Sequence, residues 1–144
     1  MCRCRGTGGD GRRPCVRGVV TDRRALVTVV DDDESVRESL PDLLRELGFA
    51  ARAFSSAEDF LASDCVDRTS CLILDIVMPG GMSGPELQRE LAGRRQLIPI
   101  VFITANGDET TRPRLIAEGA VECLLKPFGE KALLSALSAA LRVA

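Results

Sequence analysis

With 144 residues, 45% of them hydrophobic and 28% charged, the chain can build one domain with a full core but not two ordinary ones. The near-neutral total hides a split: residues 1–24 carry seven arginines against Asp10 and Asp22, a net +5, while the other 120 residues carry 12 bases and 19 acids, a net −7. An acidic body argues against nucleic-acid binding, the lack of histidine removes His-based catalysis, and no apolar run is long enough to cross a bilayer.

No signal-peptide core stands at the N-terminus, so a cytoplasmic protein without membrane association is expected. Residues 1–24 are rich in Gly and Arg with little to bury, and are read as a disordered basic arm rather than a tether for an anionic surface. Cys2, Cys4 and Cys15 lie in this arm, and Cys65, Cys71 and Cys123 are scattered through the body without a CxxC pair. Free thiols in a reducing compartment fit that usage better than a zinc site.

The folded domain is expected over 25–144. Ala25 to Val30 is a β-branched apolar run, hence a buried strand, and it ends abruptly in Asp31-Asp32-Asp33-Glu34. Acids at a helix entry suit its dipole, but four in succession repel one another unless a cation sits among them. A helix follows with Val36, Leu40, Leu43, Leu44 and Leu47 on one face and Gly48 as its stop; Pro41 is expected to kink it.

Phe49 to Phe54 reads as a second strand, and Ser55 with Glu58 has capping-box spacing before a short helix holding Phe60 and Leu61. Cys71 to Leu74 is apolar enough to be buried on both faces, as in a parallel sheet, and Asp75 closes it. A carboxylate at the end of a buried strand is costly unless something compensates it. After the loop Met78 to Gly84, Ser83 and Glu86 open a third helix to about Arg95.

Ile98 to Thr104 is a fourth strand ending in a hydroxyl, followed by a loop at Asn106, Gly107 and Asp108 and a helix running to Gly119. Glu122 to Lys126 is the fifth, ending in one of only two lysines beside 17 arginines, with Pro127 next. A last helix spans about Glu130 to Val143 and carries Leu133, Leu134, Leu137 and Leu141 on one face.

Strands alternating with helices predict an α/β fold, a doubly wound five-stranded parallel sheet of flavodoxin-like order 2-1-3-4-5. In that order the carboxyl ends of the first, third, fourth and fifth strands meet, and with them Asp31, Asp32, Asp75, Thr104 and Lys126. Three close carboxylates need a counter-cation, and hard oxygen ligands select Mg²⁺ or Mn²⁺. A hydroxyl and an ammonium alongside suit a phosphoryl group, so the chemistry implied is phosphoryl transfer onto Asp75. Taken singly, each residue has an ordinary structural use: a strand-end Asp in a turn, a Thr for strand propensity, a Lys as a solvated charge. Their joint placement is what points to a site.

The stretches Val29 to Glu34, Leu74 to Pro79, Met82 to Gly84, Ile103 to Ala105 and Leu125 to Phe128 resemble the signatures of response-regulator receiver domains of two-component signalling. Gly119-Ala-Val121 and Lys126-Pro-Phe128 resemble the FixJ-like branch in particular. The resemblance implies that the phosphohistidine of a sensor histidine kinase or phosphotransfer protein donates to Asp75. It further implies that Asp32 ligates Mg²⁺ directly, Asp31 mostly through water, and the Val77 backbone carbonyl as well, with Thr104 and Lys126 taking the phosphoryl group and a cis bond before Pro127. A downstream protein target and a phosphorylation-dependent homodimer are the partners it suggests.

Departures from the pattern concern output. Cys123 stands where the family usually has a switching Tyr or Phe, and Pro113 predicts a fourth helix that starts late and is short. The loop after Asp75 is one residue longer than usual, and Val77 cannot hydrogen-bond an attacking water, so slow self-dephosphorylation is expected. A Mg²⁺-dependent phosphatase of haloacid-dehalogenase type is a rival, but Asp31-Asp-Asp-Glu-Ser35 lacks the Thr or Val that closes its DxDx[TV] pattern. The remaining alternatives are a receiver-like module that works without phosphorylation and the front part of a DNA-binding regulator.

Overall fold

The computed structural model describes residues 25–105 and 110–143, with the side chains of residues 142 and 143 excepted. The arm expected over 1–24 and the loop at Asn106 to Asp108 lie outside the described residues. Among the described residues five strands alternate with five helices: β1 Leu26–Val30, α1 Glu34–Glu46, β2 Ala50–Phe54, α2 Ala57–Ala62, β3 Cys71–Asp75, α3 Gly84–Gly93, β4 Ile100–Thr104, α4 Thr111–Ala117, β5 Glu122–Leu125 and α5 Glu130–Val143. Every pairing is parallel and the order is β2-β1-β3-β4-β5, the arrangement expected from the sequence.

Alternation along the strands divides the core in two. Val27, Val29, Cys71, Ile73, Val101 and Ile103 face Leu40 and Leu44 of α1 and Leu133 and Leu137 of α5. Val30, Leu72, Leu74, Ile100 and Phe102 face Phe60 of α2, Leu87 and Leu91 of α3 and Leu115 of α4. Both faces of β3 are therefore buried, which is why its sequence shows no alternation of apolar and polar residues. Each fully buried leucine in these layers stabilises the fold by about 1.5–3 kcal/mol.

Three helices close in the same way. Gly48 and Gly119 adopt left-handed backbone (φ 99° and 112°) just past α1 and α4, and the next residue bonds back into the last turn, Phe49 N–H to Leu44 O and Ala120 N–H to Leu115 O. The same closure ends α3, where Gln96 N–H bonds Leu91 O but the left-handed residue is Arg95, at φ 60°.

One local expectation needs correcting. The cap of α2 is Ser56, whose hydroxyl accepts from Asp59 N–H, not Ser55; Glu58 instead reaches across to accept from Met82 N–H at 2.8 Å. Helix α1 runs unbroken through Pro41, which is buried. Pro113 falls in the first turn of α4, and that helix is only seven residues long, late and short as its proline predicts.

Candidate functional site

The register that pairs Val27 with Cys71 and Val29 with Ile73 brings the next residues of the same parity, Asp31 and Asp75, side by side at the carboxyl edge. Thr104 ends β4 opposite Leu125, and Lys126 N–H donates to Thr104 O at 2.7 Å. Asp31, Asp75 and Thr104 are buried, at 0%, 7% and 4% exposure, whereas Asp32 is exposed. One carboxylate oxygen from each of Asp31, Asp32 and Asp75 lies within 4.8 Å of the others.

Lys126 does not favour the two buried acids equally. Its ammonium donates to Asp31 Oδ2 at 2.8 Å and stands 3.8 Å from Asp75 Oδ2. Asp31 Oδ1 accepts from Asp33 N–H at 2.9 Å, so both oxygens of Asp31 are engaged. Asp75 Oδ1 accepts a long bond from Val77 N–H, at 3.4 Å. Burial first, then the charge of Asp31 and a hydrogen bond shared with it, push Asp75 up to about 7 against the opposing pull of Lys126 and Val77 N–H. Burial pulls Lys126 down, but the hydrogen bond to Asp31 and the charges of Asp75, Asp31 and Asp33 outweigh it and leave the ammonium above its ordinary range.

The residues fit a hard divalent cation. The donors are all oxygens, two of the three acids are buried, and the strained ionisation of Asp75 is what a cation among them would relieve.

Val77 is 62% exposed at the mouth of the site. The Lys126–Pro127 peptide bond is cis. Cys123 is not brought to the site; it sits half-buried three residues before Lys126 on β5, paired with Phe102 and packed on the α2, α3 and α4 side of the sheet. Burial and the neighbouring Glu122 carboxylate push its thiol up, so it is a weak nucleophile.

Sequence reasoning missed three supports. Gly84 lets α3 start directly against the Asp75 backbone: a Cβ there would lie 2.4 Å from Asp75 O. Glu58 clasps the long loop through Met82 N–H. Arg37 Nη1 donates to the Asp31 carbonyl at 3.0 Å. Arg37 stands out in the sequence as a lone base in the acidic stretch from Asp31 to Glu38, and Gly84 closes one of the signature stretches, but neither contact is written there.

The description "Response regulator receiver domain" matches residues 27–138. The response regulator protein TodT of Pseudomonas putida is 41% identical over 136 residues, covering 93% of this chain and 60% of TodT. Nodulation protein W of Bradyrhizobium diazoefficiens is 47% identical over 117 residues, 81% of this chain and 51% of that protein. The chain thus spans between half and three fifths of these relatives' length. Among solved structures, FixJ-N superposes with a TM-score of 0.76 at 36% identity, covering 85% of this chain and 98% of its own. A doubly wound sheet with buried acids and a lysine at its carboxyl edge, matched by this family over most of its length, places the chain among the response-regulator receiver domains.

Proposed function

We propose that the domain accepts a phosphoryl group on Asp75 from the phosphohistidine of a sensor histidine kinase or phosphotransfer protein. The observation that carries this is the pairing of a buried carboxylate with an ammonium 3.8 Å away and two further acids within reach of one cation. Asp31, Asp32, Asp75 and the Val77 carbonyl would hold Mg²⁺ or Mn²⁺. Bound there, the ion supplies charge neutralisation on the transferring group.

The chain's own residues do the rest. A carboxylate oxygen of Asp75 attacks phosphorus as the P–N bond of the donor breaks, and the imidazole leaves with the electron pair and takes up a proton. Lys126 loses part of its hold on Asp31 and turns to the incoming phosphoryl oxygens, and Thr104 donates its hydroxyl to another. Exposed Asp32 would present its carboxylate to the cation, with Asp31, whose oxygens accept from Asp33 N–H and Lys126, beside it.

An apolar groove of about 580 Å³ lined by Val36, Leu40, Leu43, Pro127 and Phe128 opens beside Lys126 and would seat the donor protein. Output passes to a protein target, with a phosphorylation-dependent homodimer as one form of it. Nucleic acid binding by residues 25–144, with their net −7, is disfavoured. Among the described residues no helix is long and apolar enough to cross a membrane.

The test is intact mass after incubation with acetyl phosphate and Mg²⁺, beside Asp75→Asn. One phosphoryl increment that needs the cation and is absent from the variant supports the reading. No increment, with cation binding shown separately, leaves the module that acts without phosphorylation. Exposed Val77 offers no hydrogen bond to an attacking water, so Val77→Asn should shorten the lifetime of the phosphorylated protein; an unchanged lifetime counts against that role.

A further inference from the structure

We propose that Arg37 is a positioning residue for the cation site, acting through Asp32; this rests on the cation reading above. The Asp31 carbonyl falls between two hydrogen-bonding systems. The β1–β3 ladder ends at Val30 and Leu74, and the first helical bond of α1 is Arg37 N–H to Asp33 O at 3.1 Å. Neither system uses Asp31 O, and the guanidinium of Arg37 supplies its donor at 3.0 Å. One residue therefore holds the strand-to-helix turn twice, at Asp33 O by its backbone and at Asp31 O by its half-buried side chain.

The three acids depend on this clamp to different degrees. Asp75 is fixed by β3, and the Asp31 carboxylate by Asp33 N–H and Lys126. Asp32 is exposed, and no hydrogen bond of its side chain to a described residue holds it. Its direction is set by its backbone alone, and the peptide that joins it to Asp31 is the one Arg37 grips. Losing the guanidinium frees that peptide to rotate and turns the Asp32 carboxylate away from its neighbours.

A charge effect predicts the opposite. Removing a cation from beside three acids strengthens metal binding by Coulomb attraction, whereas removing the grip weakens it, so the sign of the change separates the two.

The experiment titrates Mn²⁺, standing in for Mg²⁺, and reads the free ion by its EPR signal, with circular dichroism on the same samples. Arg37→Met is expected to bind about tenfold more weakly than wild type, within the range that outer partners of metal ligands command. Arg37→Lys, which keeps a donor and the charge, should stay within about threefold. In an Asp32→Asn background, Arg37→Met should have little further effect, since the two act in series. Equal or tighter binding by a folded Arg37→Met, or a full tenfold loss that persists without the Asp32 carboxylate, overturns the proposal while leaving the cation site standing. Wild-type protein that binds no ion would instead sink the cation reading itself. Arg37→Gln carries the same cycle if Arg37→Met does not fold.

Discussion

Asp75 should be a liability to the ion-free fold, and Asp75→Asn should relieve it. The folded protein holds this carboxyl at about 7, against 3.8 ordinarily. Between those values the native state keeps a proton that the unfolded chain has released, so stability falls as pH rises from about 4 to 7 and is level above that. At 1.36 kcal/mol per pH unit the full effect is bounded by ~4 kcal/mol. Lys126 and the coupling to Asp31 share part of it, so about 2 kcal/mol is the expected gain for Asp75→Asn at pH 8. The difference should shrink toward zero near pH 4. With no Trp or Tyr in the chain, urea unfolding is best followed by far-ultraviolet circular dichroism, with EDTA present. Mg²⁺ should narrow the gap from the wild-type side, because a ligand of the native state stabilises it by mass action. A variant less stable than wild type at pH 8 without metal would refute the reasoning, as would a gain that is the same at pH 5 and pH 8.

The supports around the site give further expectations. Gly84→Ala puts a Cβ 2.4 Å from Asp75 O and 3.0 Å from the Phe102 ring, so it should cost about 3 kcal/mol in the urea midpoint and slow phosphorylation by acetyl phosphate. Thr69→Val breaks a buried chain in which Thr28 and Thr69 hydroxyls lie 2.8 Å apart and Thr69 donates to Cys65 O; the Thr28 hydroxyl, at 0% exposure, is then unpartnered, a loss of about 1–3 kcal/mol by the same measurement. Arg95→Gly should raise the melting temperature, by relief of about 0.5–1 kcal/mol, since α1 and α4 close with glycine at the equivalent left-handed position and α3 does not.

Much of this protein can be read one segment at a time. Strand and helix positions follow from the period of apolar residues, because a strand buried on both faces and a helix buried on one leave different local patterns. The placement of Asp31, Asp75, Thr104 and Lys126 at strand ends is local too, and the parallel order then gathers them. Caps were less secure: the spacing of Ser55 and Glu58 suggests a capping box, but Ser56 caps the helix and Glu58 accepts from Met82 N–H, 24 residues away.

Which chemical groups reach the carboxyl edge of the sheet is a local matter, since each lies where a strand stops. How they share one another is set by packing between distant segments. Lys126 sits on Asp31 rather than Asp75 across 95 residues of chain, Gly84 admits the start of α3 against the Asp75 carbonyl, and Arg37 takes the carbonyl that sheet and helix both leave. Those are contests between neighbours in space for the same hydrogen bonds and the same volume, and no period in the chain encodes their outcome.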